Sequence, residues 1–329
     1  MISRRTFLDL LAGGLLAAPF SAVAQPAGKV WRIGQLDFGA SNSTSEARWK
    51  ALRERLRELG YVEGQNIVFE SRWGNEQRDR LPGLAAELVT LRVDIIVTAT
   101  GDAALAAKQA TGSIPIVMAT TADPVRLGLV ASLARPGGSV TGNSSLSADL
   151  AGKRLELVKQ LIPRAARVAV LHDPDNRSSE FTLRGAEDVA RSLGVVVQSV
   201  GARGPKEFDA AFAAMKRARA DAVILGVNTP FLADRRRLAD LAVSHRLPMM
   251  TPTREYVEAG ALLSYGIDYP DQFRRVAIYV DKILKGAKPG DLPIEQPTKF
   301  ELIINLRTAQ AFGITIPQSV VFRADEVIR

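Results

Sequence analysis

The chain has no cysteine and only two histidines among its 329 residues. The missing cysteine removes disulfides, thiolate catalysis and cysteine-bound metals together, so stability has to come from packed cores. It also leaves no thiol for a lipid anchor, and a freely soluble form is expected. His172 stands at a strand end and His245 at a helix end, and neither belongs to an H-E-x-x-H pair. The sequence holds no phosphate-cradling G-x-x-x-x-G-K-[ST] loop, no G-x-S-x-G elbow and no G-x-G-x-x-G after a strand. An exported α/β enzyme therefore lacks the constellation it would need, and no catalytic residue, cofactor or metal is expected. Asp173 and Asp175 are the only candidate metal pair, and neighbouring acids after a strand are read more simply as turn and cap residues.

Long apolar runs are also missing. The longest, Phe7 to Phe20, is broken by Asp9 and Pro19 and is shorter than the ~20 residues that span a bilayer. With Arg4 and Arg5 before it and the small-residue pattern Ala22-Val23-Ala24 after it, this stretch reads as an export signal, residues 1–24, cleaved after Ala24. Ser3-Arg4-Arg5-Thr6-Phe7-Leu8 resembles a twin-arginine signal, although general secretion is the competing route. A periplasmic, exported protein is expected.

The formal charge is +8, which raises the question of nucleic acid. The basic residues are interleaved with acids, as in Arg53-Glu54-Arg55-Leu56-Arg57-Glu58, and Arg235-Arg236-Arg237 follows Asp234. That pattern makes a solvated helix face rather than a stripe that tracks phosphates, and no nucleic-acid partner is expected.

What is present is a rhythm. Short β-branched runs (Arg32–Leu36, Asn66–Ser71, Asp94–Thr98, Ile116–Met118) alternate with helical patterns (Ser45–Leu59, Arg80–Leu91, Ala103–Gln109). Residues 123–142 break the rhythm with turn formers and read as a boundary or crossover. The rhythm then restarts through helix Leu150–Leu161, strand Arg167–Leu171, helix Ser179–Leu193, strand Val195–Val200, helix Phe208–Ala218, strand Ala222–Leu225 and helix Asp234–Ser244. Strand Pro248–Met250, helix Gln272–Lys285, strand Phe300–Ile304, helix Leu306–Phe312 and a tail complete it. Continuous apolar strands separated by helices predict parallel sheets covered on both faces, here in two α/β lobes. The late elements are expected to return across the boundary. One lobe would hold residues 30–142 with about 266–299, the other 143–265 with about 300–329.

In such sheets ligands bind beyond the carboxyl ends of the strands. The residues found there are Asp37, Phe38 and Ser41, then Thr100 and Gly101, then Thr120, Thr121 and Asp123. In the second series they are Asp173, Asn176, Asn228, Thr229, Thr253, Tyr265 and Asp268, and Asn143 lies beside the boundary. Hydroxyls, amides and carboxylates of this kind make directed, reversible hydrogen bonds, which suits a small polar ligand. Phe38, Tyr265 and Tyr269 are candidate ring contacts, and Asp123 or Asp268 a candidate partner for an amino group. Each of these residues can equally serve packing or helix capping.

Several stretches together resemble one family. They are Leu59-Gly60-Tyr61-Val62-Glu63-Gly64-Gln65-Asn66-Ile67, Ile114-Pro115-Ile116-Val117 with Asp123-Pro124-Val125, and Leu133-Ala134-Arg135-Pro136-Gly137-Gly138-Ser139-Val140-Thr141-Gly142. Gly152-Lys153-Arg154-Leu155-Glu156-Leu157 and Phe312-Gly313-Ile314-Thr315-Ile316-Pro317 extend the likeness across nearly the whole mature chain. The sequence resembles the ABC-transporter substrate-binding proteins of the tryptophan/tyrosine type. That resemblance implies a type I periplasmic binding protein, with two Rossmann-like lobes joined by a hinge that close on a ligand. It further implies a small-molecule ligand such as an amino acid, and an inner-membrane ABC permease with its ATPase as partners. A monomer is expected. A sensor feeding a signalling partner is the alternative use of the same fold.

Overall fold

The structure, a computed structural model, describes residues 29–329; the sequence expected to act as an export signal lies outside the described residues. Up to the first crossover the chain forms β1 (Trp31–Asp37), α1 (Ser43–Glu58), β2 (Ile67–Trp73), α2 (Leu81–Thr90), β3 (Ile95–Thr98), α3 (Gly101–Ala110), β4 (Ile116–Thr121) and β5 (Val140–Ser144). The five strands make one parallel sheet in the order β2-β1-β3-β4-β5. Every residue of Ile95-Ile96-Val97-Thr98 is buried, as a strand covered on both faces requires.

Beyond the crossover come α4 (Ser147–Leu161), β6 (Arg167–His172), α5 (Arg177–Ala190), β7 (Val196–Gly201), α6 (Pro205–Arg217), β8 (Ala222–Leu225), α7 (Thr229–Ala233), α8 (Arg235–Ser244), β9 (Met249–Thr251), α9 (Arg254–Glu258) and β10 (Leu263–Ile267). Next is α10 (Tyr269–Leu284), and the chain closes with β11 (Phe300–Asn305), α11 (Leu306–Ala311), α12 (Gln318–Val321) and β12 (Glu326–Ile328). The second sheet has seven strands in the order β12-β11-β10-β9-β8-β6-β7. It is parallel except where β11 runs against β10, Leu263 facing Ile304. A parallel neighbour needs a crossover that lies over its own sheet, whereas the chain here goes out through α10 on the other lobe and comes back from the opposite end.

Helix α10 belongs physically to the first lobe. Its Phe273, Val276, Ala277 and Val280 share a core with Ile33, Trp49, Leu52 and Val97. Trp49 anchors that core, with its ring edge-on to Phe273 at 5.1 Å and to Trp73 at 6.4 Å. Aromatic pairs of this geometry contribute about 0.5–1.5 kcal/mol each beyond area burial.

Two elements lie where sequence periodicity showed none. The supposed boundary contains β5, a buried but polar strand. Two of its side chains bond to the returning chain: Thr141 Oγ1 donates to the Leu292 carbonyl at 2.7 Å and Asn143 Nδ2 to the Gln272 carbonyl at 3.0 Å. Gly142, at φ 127°, lies so close to β4 that a Cβ would sit 2.2 Å from the Met118 carbonyl oxygen. The tail supplies β12, parallel to β11 from Ile303↔Glu326 onward. The chain passes between the lobes after β5, after β10 and again between α10 and β11. At the first passage Leu146 adopts the left-handed conformation, φ 51°, at the cap position of α4.

Candidate functional site

The main cavity opens between the carboxyl ends of the two sheets. From the first lobe, the turn after β1 brings Asp37, Phe38, Gly39 and Ala40, and the opening turns of α1 bring Asn42, Thr44, Ser45 and Arg48. The β3–α3 turn adds Thr100, Gly101 and Asp102, the end of β4 adds Thr120, and the first crossover adds Ser145 and Ser147. From the second lobe come Asn176, Ser178, Asn228, Thr229, Arg235, Thr253 and Tyr256, and the start of α10 adds Tyr269 and Phe273.

Some of these polar groups already have local duties. Asn42 Oδ1 accepts from Thr44 N and Ser45 N at 3.0 and 3.1 Å and caps α1. Thr100 Oγ1 accepts from Ala103 N at 3.3 Å, and Asn176 Oδ1 from Ser178 N at 2.9 Å, capping α3 and α5. The amide groups of the two asparagines are also engaged: Asn42 Nδ2 donates to the Ala40 carbonyl at 3.3 Å and Asn176 Nδ2 to the Val227 carbonyl at 3.3 Å. Asp37 is buried and is held by the Gly39 amide at 2.9 Å and by Trp49 Nε1 at 3.0 Å. Burial raises its carboxyl above the usual range, and these two donors and the Arg48 charge oppose that only in part.

Two ion pairs cross the cleft. Arg78, on a short 3-10 turn of the first lobe, donates to Asp173 in the second lobe at 2.7 Å and to Asp102 in its own lobe at 3.1 Å. Asp173 is fully buried, and it also accepts from Asn228 Nδ2 at 3.3 Å and the Asp175 amide at 3.0 Å. Asp102 is raised by desolvation in spite of Arg78. Arg48 of α1 meets Glu255 of α9 at 3.2 Å and lies 4.3 Å over the Tyr269 ring. Burial alone would push Glu255 up, but Arg48 and the hydrogen bonds around it bring its carboxyl below the ordinary value. The lobes also touch where small residues face each other: a Cβ on Gly39 would meet the Thr229 methyl at 2.8 Å, and one on Gly101 the Ser178 hydroxyl at 3.2 Å.

Of the strand-end residues, Asp37, Phe38, Thr100, Gly101, Thr120, Asn176, Asn228, Thr229 and Thr253 line this cavity. The others stand elsewhere. Ser41 is exposed and donates to Glu46 at 2.7 Å. Thr121 is buried in β4, Asn143 is buried in β5, and Asp173 sits behind Asn228 in the ion pair with Arg78. Asp123 caps its own turn, accepting from the Arg126 amide at 2.9 Å, and pairs with the Arg126 guanidinium. Asp268 caps α10 by accepting from the Asp271 amide at 3.0 Å. Neither of those two carboxylates lines the cavity; Asp37 and Asp102 do. Tyr265 points to a separate groove, its ring 6.0 Å from that of Phe300.

Arg48, Tyr256 and Arg235 project from helices, so their place in the cleft is not legible from the strand ends. For Arg48 a signal existed: it follows the capping pair Asn42 and Ser45 by one turn on the same face of α1. Among the described residues no group of three or more His, Asp or Glu is placed to hold a metal ion.

The sequence model of a family described as ABC transporter substrate binding protein matches residues 41–328. A tyrosine-binding protein of Clostridioides difficile (strain R20291) is 29% identical over 266 residues, covering 80% of this chain and 76% of that protein. Among solved structures, the ABC domain in complex with L-Trp from Streptococcus pneumonia is 27% identical, with a TM-score of 0.85 over 91% of this chain and 100% of that one. A conserved domain protein from Vibrio cholerae matches equally well, at TM-score 0.85 and 26% identity, over the same shares of the two chains.

Proposed function

Given that this chain belongs to the family of ABC transporter substrate-binding proteins, we propose that it captures an amino acid or a related small organic solute between its lobes and delivers it to an ABC permease in the inner membrane. The observation that carries the reading is the cleft itself: both sheets point their carboxyl ends into it, and its wall mixes ring faces with hydroxyls, amides, carboxylates and guanidiniums. A zwitterionic ligand needs that mixture, and the two relatives, one a tyrosine-binding protein and one solved in complex with L-Trp, favour an amino acid.

The lobes divide at Ser145–Leu146, near Asp268 and within residues 286–299, and these three passages form the hinge. Closure brings Arg78 onto Asp173 and Arg48 onto Glu255, so the ligand selects a state that the protein already stabilises by itself. The protein works in the periplasm as a monomer, after export directed by residues 1–24. Among the described residues no helix is long and apolar enough to cross a membrane, which is compatible with that site of action.

A thermal-shift screen over amino acids, sugars and small organic acids tests the reading. A cognate ligand at ~100 times its Kd adds about 2.7 kcal/mol by mass action, enough to raise Tm by several degrees. A screen in which nothing stabilises the chain, while some compound is turned over, would count against a receptor.

A further inference from the structure

One end of the cleft carries more positive charge than the protein compensates. Arg48 gives a single hydrogen bond to Glu255 and leaves its buried Nε–H without a partner. Arg235 makes no ion pair among the described residues and donates only to the Leu232 carbonyl, at 3.2 Å. Between them Tyr256 is 1% exposed, with a hydroxyl that has no hydrogen-bond partner. Behind this wall lies Arg154, also 1% exposed, whose Nε donates to the Tyr265 carbonyl at 2.8 Å while Nη1 is unpartnered. Desolvation lowers the Arg154 pKa to about 10, which still leaves the group charged at neutral pH. Three guanidiniums therefore act on this corner against Glu255 and, beside Arg48, the buried Asp37, whose carboxyl burial raises.

A buried cation or hydroxyl with nothing to bond costs free energy, and a protein retains such groups where something else satisfies them. The arginine fork and the phenolic O–H both match a carboxylate, which accepts several hydrogen bonds in one plane. We propose that the corner between Arg48, Arg235 and Tyr256 is the subsite for the ligand's carboxylate group. Arg235 and Tyr256 donate to it directly, Glu255 holds Arg48 in position beside it, and Arg154 supplies a fixed positive field from behind. This assignment rests on the receptor reading above and specifies which group of the solute meets the arginines. The site thereby discriminates acids from their amides and amines of equal size.

Thermal shift and isothermal titration with matched probes test it: the L-amino acids, their amides, the amines that lack the carboxyl group, and neutral sugars. The expected result is that every compound that binds carries a carboxylate, and that converting it to the amide weakens binding by about 100-fold. Arg235→Gln should weaken the acid by at least ~10-fold and leave the amide unchanged, which cuts the discrimination to about 10-fold or less. Tyr256→Phe keeps the ring and its packing, and should cost a smaller factor of ~5–10 for the acid alone. Equal affinity for acid and amide, or acid binding unaffected by both substitutions, overturns the subsite and leaves the receptor standing. Binding of neutral sugars in place of acids does the same. A protein that binds no member of the panel fails as a receptor for these solutes, and the subsite falls with it.

Discussion

Arg154 shows how a residue can weaken a fold and serve it. Its guanidinium is buried with one hydrogen bond and no ion-pair partner among the described residues. A buried charge without a partner costs free energy, so an apolar side chain of similar volume should be neutral or stabilising there. Arg154→Met should therefore raise Tm of the ligand-free protein in calorimetry and at the same time weaken binding of an acidic solute. A purely structural arginine would lower both. Asp173 behaves oppositely. It is a fully buried carboxylate whose charge is met from the other lobe by Arg78. Asp173→Asn keeps the shape but removes the charge from a 2.7 Å contact, so it should loosen closure and reduce ligand affinity by about 10-fold or more in titration.

At the scale of elements, the proposed closure would be limited by the close approach of the β1–α1 turn to the N-terminus of α7. Gly39 faces the Thr229 methyl with no room for a Cβ at an ordinary distance. Gly39→Val should hold the lobes apart, and small-angle scattering would show a larger radius of gyration with ligand present, while the fold stays intact. The same scale explains what periodicity could reveal. Strands such as Ile95–Thr98 and Ala222–Leu225 are legible because they are apolar throughout and buried on both faces. Strand β5 was hidden because Thr141, Asn143 and Ser144 look like a loop until the chain 130 to 150 residues later returns to bond them. Tyr256 was hidden because α9 is a single short helix after a three-residue strand, too brief to show a period.

For the whole molecule, the pairing of Arg48 with Glu255 would tie the proposed closure to pH. Glu255 is held below its ordinary value of 4.5, first against burial and then by Arg48. A depressed carboxylate contributes stability that is fully present above the unfolded value and is lost as pH falls through the folded one. The closed form should therefore persist from neutrality down to about pH 4.5 and fade below it, with ligand affinity falling in parallel in titrations at stepped pH. Glu255→Gln should flatten that acid limb. Asp37 works with the other sign: its carboxyl is raised by burial, so the stability it adds is present below 3.8 and lost as pH rises through the folded value.

The linear sequence alone determined the class of fold and much of the cleft's chemistry. Alternating apolar strands and helices dictate two covered sheets, and the turns at the strand ends are where a ligand cleft forms. Only the tertiary structure decided which of these residues meet. Asp123 and Asp268 are carboxylates at the right ends of the right strands, yet each turns back to cap its own helix or turn. Arg48, Arg235, Tyr256 and Arg154 come from four helices scattered over about 200 residues, and their shared excess of charge exists only after the chain has crossed between the lobes. Strand ends are local facts of the chain, whereas a buried charge left without a partner is a property of everything packed around it.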